Sequence, residues 1–313
     1  MSWIGIDLGG TKVFGVVYQG EKVKKDAKRK TPLSGGPSAV VETIVAVVND
    51  LGGASGVKGV GVGAPGAVDH EAGVVLQAPN LAGWEESDTP LGSMLGKALG
   101  GVPVRVDNDA NVGTLAEHRT GAGKGAADFL GVWVGTGVGG GLILDGRLRR
   151  GDTGYAGEIG HTIVHPGGRA CGCGGLGHLE AYAGRAALER EARERHAQGT
   201  PTKLVELAGE GRMTSSVWSS ALAASDVVAL ELLDGAVAAL GTAIANAVTL
   251  LDLHVVIIGG GLADRLGPTF VGRIEQAARG QLFATASRLR VLPARLGDQA
   301  GALGAALMAA ESA

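Results

Sequence analysis

Cysteine is scarce: the 313 residues hold two, Cys171 and Cys173. One residue separates them, so a disulfide between them would be strained, and a disulfide-stapled secreted scaffold is excluded. Two reduced thiols suit metal ligands in a cytoplasmic protein. The chain also lacks an excess of positive charge. Lys and Arg number 28 against 31 Asp and Glu, a net charge of −3, so no basic field is available to hold a polyanion by counterion release. Nucleic acid is therefore not expected as a partner. No long membrane-spanning run occurs either. The longest uncharged apolar stretch, 235–251, is short for a bilayer and carries Thr242, Asn246 and Thr249, which suits a buried helix and no membrane partner. The opening MSWIGIDLGG has no basic segment followed by an apolar run and a small-residue cleavage site, so no secretory signal is expected. A Pro- or Ser-rich linker is likewise missing, and any domain boundary would be a hinge.

What the chain has in abundance is glycine, 56 residues, without the triplet repeat of collagen. With 45% apolar and 19% charged residues the chain is too apolar for disorder, and its length suits two domains. Residues 3–7 and 13–18 read as a β-hairpin opening a sheet, with a charged edge strand at 22–30. Apolar periodicity predicts a helix over 37–51, strands at 57–63 and 102–107, and a helix near 91–99. A second unit is expected from 108, with a helix to about 119, a hairpin at 128–134 and 138–144, and helices at 179–197, 203–209 and 226–251. A buried strand at 254–258, a helix at 268–281, a strand at 289–293 and a helix at 299–311 complete the prediction.

Three glycine-rich turns follow predicted strands: Asp7-Leu8-Gly9-Gly10-Thr11-Lys12, the run from Gly135, Thr136 and Gly137 to Gly141, and Gly259-Gly260-Gly261. Glycine lets backbone N–H groups approach an anion closely, so three such turns can surround a nucleotide. None has a Walker A ending or forms a Rossmann strand–GxGxxG–helix unit. Asp7, at a strand end beside two glycines and a hydroxyl, either holds hydrated Mg²⁺ while Thr11 faces phosphate or closes an Asx turn. The run Asp107-Asn108-Asp109-Ala110-Asn111 offers more polar groups than a helix cap needs, which leaves Asp109 as a candidate base. His161, Cys171, Cys173 and His178 follow the pattern His-x9-Cys-x-Cys-x4-His. That is a two-imidazole, two-thiolate set for a closed structural Zn²⁺ site, or else a glycine-rich loop with incidental cysteines.

Taken in order, these motifs resemble those of ROK-family sugar kinases of the bacterial glucokinase type, within the actin-like, hexokinase-type ATPase superfamily. The resemblance covers nearly the whole chain. Asp7 to Lys12 is similar to the first phosphate motif, Gly135 to Gly141 to the second, and Gly259 to Gly261 to the adenosine turn. Val106 to Asn111 resembles the catalytic segment, Gly157 to His161 the sugar-and-zinc segment, and Cys171 to Glu180 the family's Cys-x-Cys-Gly-x-x-Gly-Cys-x-Glu. The resemblance implies an α/β, two-domain actin-like (ribonuclease H-like) fold with an active-site cleft between domains. The first domain would comprise 1–107 plus about 299–313 and the second 108–298, carrying the zinc loop 161–178. It implies ATP as phosphoryl donor, catalytic Mg²⁺ and structural Zn²⁺, with Asp109 as general base on the sugar's primary hydroxyl. Asn80, Asn108, Glu158, His161 and Glu180 would bind other hydroxyls. Glucose is the leading acceptor, ahead of N-acetylglucosamine, N-acetylmannosamine, mannose and fructose. Polyphosphate is an alternative donor, and a catalytically weak sugar-binding regulator an alternative role. A cytoplasmic homodimer or homotetramer is implied.

Three departures from the pattern stand out. His178 occupies the position of the third cysteine, removing one thiolate charge. Where the family commonly reads Ala-Ser-Gly, this chain has Ala183-Gly184-Arg185. The helix-turn-helix of ROK repressors has no counterpart ahead of a phosphate motif that begins by residue 7, so operator binding is not expected.

Overall fold

The computed structural model describes residues 1–312 except 79, 80, 82, 85, 86 and 284–287. The chain divides into two compact units, the first formed by 1–125, 141–156 and 298–313, the second by 126–140 and 157–297.

The first unit begins with β1 (Ser2–Leu8), β2 (Lys12–Gln19) and β3 (Lys22–Lys30), then α1 (Gly36–Leu51) and β4 (Val60–Ala64). A small ribbon of β5 (Ala67–Asp69) and β6 (Val74–Gln77), α2 (Leu91–Ala98), β7 (Val104–Asn108) and α3 (Asp109–Thr120) follow. Its sheet has the order β3-β2-β1-β4-β7, antiparallel in the hairpins and parallel from β1 through β4 to β7. The i, i+3, i+4 spacing of Val40, Val41, Ile44, Val47, Val48 and Leu51 gives α1 one apolar face. That face packs with Ile4, Ile6, Val60 and Val62 of the sheet into one core. β3, whose lysines are all exposed and of which only Val23 and Ala27 are partly buried, is a charged edge that discourages further strand pairing.

The rest of the chain runs through β8 (Phe129–Val134), β9 (Val138–Leu144), β10 (Arg147–Arg149), α4 (Glu180–Ala183), α5 (Arg185–Ala197), α6 (Lys203–Ala208) and α7 (Ser215–Ala223). After these come α8 (Val227–Leu251), β11 (Val255–Gly259), α9 (Gly261–Arg279), β12 (Arg290–Pro293) and α10 (Ala300–Glu311). The second sheet has the order β10-β9-β8-β11-β12. α8 is long and apolar enough to cross a membrane by length and composition alone, yet most of it is buried, packed on α9.

Two expectations are corrected. α3 does not open the second unit: it lies against α10 and groups with the first, as does 141–156. The physical reason is helix contact closer than side chains allow; a Cβ at Gly304 of α10 would lie 1.7 Å from the Val112 carbonyl oxygen of α3. The helix expected over 179–197 is broken at Gly184, whose extended backbone (φ −70°, ψ 132°) separates α4 from α5.

Candidate active site and metal cluster

Parallel register sets the first group of candidate residues. Asp7 stands beside Gly63, and Gly63 beside Asp107, so β1, β4 and β7 end at one edge of the sheet. In open α/β sheets ligands bind outside such carboxyl ends. The β1–β2 turn is closed by the Gly9 N–H donating to the Lys12 carbonyl at 3.0 Å, and the Thr31 hydroxyl donates to the Gly9 carbonyl at 2.5 Å. Gly10 and Thr11 remain exposed at its tip. Burial pushes the Asp7 carboxyl up to about 6, the Lys12 charge opposing and Asp298 reinforcing the shift. An enclosed carboxylate whose charge is penalised, beside exposed backbone and hydroxyl, is a donor set that fits hydrated Mg²⁺. Lys12 pairs with Asp298 at 2.7 Å. Sequence reasoning missed Asp298, which belongs to no motif and lies far along the chain.

At the end of β7 the polar residues divide their roles. Asn108 caps α3, its Oδ1 accepting from the Ala110 and Asn111 N–H groups at 2.8 and 3.1 Å, while its Nδ2 donates to the Gly66 carbonyl at 2.9 Å. Asp107 is buried. Its Oδ1 accepts from the Asn108 N–H at 2.8 Å and from Asn111 Nδ2 at 3.1 Å, and its Oδ2 from Arg150 Nε at 2.7 Å. Asp109, half-buried, is the first residue of α3, where the helix dipole favours a carboxylate. Its Oδ1 accepts from the Ala110 N–H at 2.7 Å. Asn80 lies outside the described residues.

In the second unit β8 and β11 run parallel, with Gly259 opposite Trp133, so the glycine turns after both strands leave the same end of the sheet. The Gly135 N–H closes the first turn on the Gly137 carbonyl at 2.9 Å. Glu180, at the start of α4, accepts from the Val138 N–H at 2.9 Å, and a Cβ on Gly137 would lie 2.1 Å from Glu180 Oε2. A larger residue there would displace the Glu180 carboxylate. The other oxygen of Glu180 lies 3.7 Å from Cys171 Sγ, so one carboxylate links the glycine turn to the cysteine loop. Glu158 is half-buried just ahead of the short turn Ile159–His161. Burial pushes its carboxyl up, His161 opposes this and Glu180 adds to it.

The side chains of His161, Cys171, Cys173 and His178 each offer a ligand atom within 4.8 Å of the others. Cys173 Sγ lies 3.2 Å from His178 Nδ1, and Cys171 Sγ 4.0 Å from His161 Nδ1. The loop is folded by its own backbone: the Val164 N–H donates to the Gly177 carbonyl at 2.9 Å, Gly177 N–H to Arg169 at 2.8 Å, and Cys171 N–H to Gly175 at 2.8 Å. Gly177 has φ +74°, and a Cβ there would lie 1.8 Å from the His165 carbonyl oxygen. Burial pushes the Cys171 thiol up to about 11, an unfavourable state for a lone thiolate that a cation would relieve. Two thiols and two imidazoles gathered this closely fit Zn²⁺ in tetrahedral coordination.

Two α/β units, glycine turns at the carboxyl ends of parallel strands and a Cys/His loop tied to one of those turns define an ATPase-type fold of the actin-like class. The ROK family model matches residues 3–312, and the chain belongs to the ROK family. It is 33% identical over 306 residues to a glucokinase of Thermotoga maritima, covering 97% of this chain and 95% of that protein. To a glucokinase of Streptomyces coelicolor it is 35% identical over 316 residues, covering 98% and 97%. Among solved structures, a ROK family glucokinase from Streptomyces griseus in complex with glucose and AMPPNP aligns with TM-score 0.86 and 35% identity, covering 99% of this chain and 100% of that one.

Proposed function

We propose that the chain is an ATP-dependent hexose kinase that transfers the γ-phosphate of ATP to the 6-hydroxyl of glucose. The observation that carries this reading is the register of the first sheet, which brings Asp7 and the Asp107–Asp109 segment to one strand edge. Asp109 is the general base: its carboxylate takes the proton of the sugar hydroxyl as that oxygen forms its bond to the γ-phosphorus and ADP leaves. Among the described residues, Asn108 has one Nδ2 hydrogen left for a sugar hydroxyl after capping α3 and bonding Gly66. Glu158, His161, Glu180 and Asn80 take the other hydroxyls, each of which would cost about 1–3 kcal/mol if buried unpaired. The turns at Gly9–Lys12 and Gly135–Gly137 hold phosphate and the turn at Gly259–Gly261 the adenosine. Asp7 would hold the Mg²⁺, whose charge offsets that of the donor phosphates. His161, Cys171, Cys173 and His178 would hold the Zn²⁺ that fixes the loop. Reduced cysteines support a cytoplasmic setting.

The test is ADP release by purified protein with ATP and Mg²⁺ against a panel of hexoses and N-acetylhexosamines. Asp109→Asn should lower kcat by about 10²-fold or more while sugar affinity holds. Near-normal turnover in the variant removes Asp109 as base; sugar binding without turnover in the parent chain favours the regulator reading.

A further inference from the structure

The Arg185 departure places a second charge beside the second glycine turn. Arg185 donates from its guanidinium to Thr136 Oγ1 at 2.9 Å, and Arg212 reaches the same hydroxyl oxygen at 3.5 Å. The start of α5 is locked to this turn, the Arg185 N–H donating to the Gly135 carbonyl at 3.1 Å and the Ala186 N–H to the Thr136 carbonyl at 2.9 Å. Arg212 is aimed by its own clamp. On one side the buried Met213 donates its N–H to Glu189 at 2.9 Å, and on the other Arg193 of α5 donates to the Gly209 carbonyl at 3.0 Å and to that of Gly211. Glu189, the carboxylate on α5 one turn beyond Arg185, is taken by Arg193 at 2.9 Å. Among the described residues neither Arg185 nor Arg212 has a carboxylate within ion-pair distance. Burial, then the charge of Arg212, pushes the Arg185 guanidinium down, with the more distant Glu189 carboxylate opposing them.

Two like charges therefore converge on one hydroxyl with no carboxylate in direct contact among the described residues, an arrangement that costs energy unless an anion occupies it. The neighbouring elements say which anion. Ser215, three residues after Arg212, is near Gly261, its Oγ 3.8 Å from where a Cβ there would lie. The two arginines thus belong to the same end of the second sheet as the turn after β11.

We propose that Arg185 and Arg212 form a two-guanidinium clamp on the phosphates of a nucleoside di- or triphosphate. This deepens the assignment of the Thr136 turn to phosphate and rests on that reading. Guanidinium forks match phosphate oxygens bidentately, so the clamp should act on the phosphates and leave the base alone.

The experiment is calorimetric titration of the full-length protein with ADP, adenosine and inorganic tripolyphosphate at one fixed salt concentration. In R185A/R212A, ADP affinity should fall by about 10- to 100-fold with adenosine affinity unchanged, and R185K/R212K should fall between, keeping charge without the fork. Unchanged ADP affinity overturns the clamp, as does an equal loss of adenosine, which would mean a collapsed turn. Failure of the parent chain to bind ADP overturns it too. Tripolyphosphate held as tightly as ADP through the same arginines makes the ligand an inorganic polyphosphate and overturns the nucleotide assignment. Arginine-dependent ADP binding in a protein that phosphorylates no sugar keeps the clamp and removes the kinase. A sugar kinase whose ADP affinity ignores both arginines does the reverse.

Discussion

Asp107 and Asp109 are two residues apart and differ in what surrounds them. Asp107 is 2% exposed and fully subscribed, with Arg150, Asn111 and the Asn108 N–H on its two oxygens. Removing Arg150 would leave a buried carboxylate without its cation, a change that typically costs about 3–5 kcal/mol. Arg150→Ala is accordingly expected to lower stability by about 3 kcal/mol in urea unfolding. Adding Asp107→Asn should recover part of the loss, because an amide is cheaper to leave unpaired than a charge. Asp7 has the opposite problem. Its folded-state pKa is raised to about 6 from an unfolded value of 3.8, so the folded chain binds this proton more tightly than the unfolded chain. Its contribution therefore weakens stability as pH rises from about 4 to 6 and stays unfavourable above that. In metal-free protein Asp7→Asn should melt higher than the parent at pH 7, the gap closing near pH 4, and added Mg²⁺ should stabilise only the parent. Residue types were legible: Asp7, Asp109 and the Cys/His set stand out by spacing alone. Arg150, Arg212 and Asp298 were not, because each acts on a group far away in the chain and nothing local marks the pairing. Arg185 was visible as a departure, but its contact with Thr136 was not.

Close backbone approach governs the fit of the elements. α10 packs on β1, β4 and α3 through small residues, and a Cβ on Gly61 of β4 would lie 1.8 Å from the Ala305 carbonyl oxygen. Gly304 meets α3 as tightly, and backbone cannot yield as a flexible side chain can. Gly304→Ala is expected to cost about 3 kcal/mol or to prevent folding, read as a fall in the denaturant midpoint with m unchanged where the variant folds. The same substitution at Gly235 of α8, which has open space around its Cβ position, should be neutral or stabilising. Most elements were legible because periodicity survives in them: the strand expected at 138–144 and the helix at 226–251 match β9 and α8 within a residue. α7 was missed because Ser215-Ser216 and Ser219-Ser220 dilute its apolar face, leaving Trp218 and Ala221 to bury it. β5, β6 and β10 have three or four residues each, too few for an alternation to register. Pro268, expected to open a helix, does restart one: α9 is interrupted at Gly267 (φ 72°) immediately before it.

At the scale of the molecule, the Cys/His loop is where local folding and chemistry meet. The pattern of His161, Cys171, Cys173 and His178 was legible as a ligand set, but the role of Glu180 in joining that set to the turn at 135–138 was not, since it depends on Val138 packing beside α4. Both thiols must lose their protons to bind Zn²⁺, and burial holds Cys171 near 11 in the metal-free chain. Binding should therefore release protons, and affinity should fall steadily as pH drops, the Cys171 proton competing with the metal at every pH below about 11. Glu180, which accepts from the Val138 N–H, has Cys171 of this loop 3.7 Å away on its other oxygen, so stripping the metal should loosen the loop that backs this carboxylate. The expected outcome is one zinc per chain by elemental analysis, and a chelated protein that melts several degrees lower and loses sugar-dependent turnover together with the metal. His178→Cys, which adds a third thiolate, should raise resistance to chelator, whereas Cys173→Ala should abolish zinc retention. A zinc-free protein with unchanged melting and unchanged sugar affinity would mean that the four side chains cluster without a metal and that the backbone bonds of the loop suffice to hold Glu180.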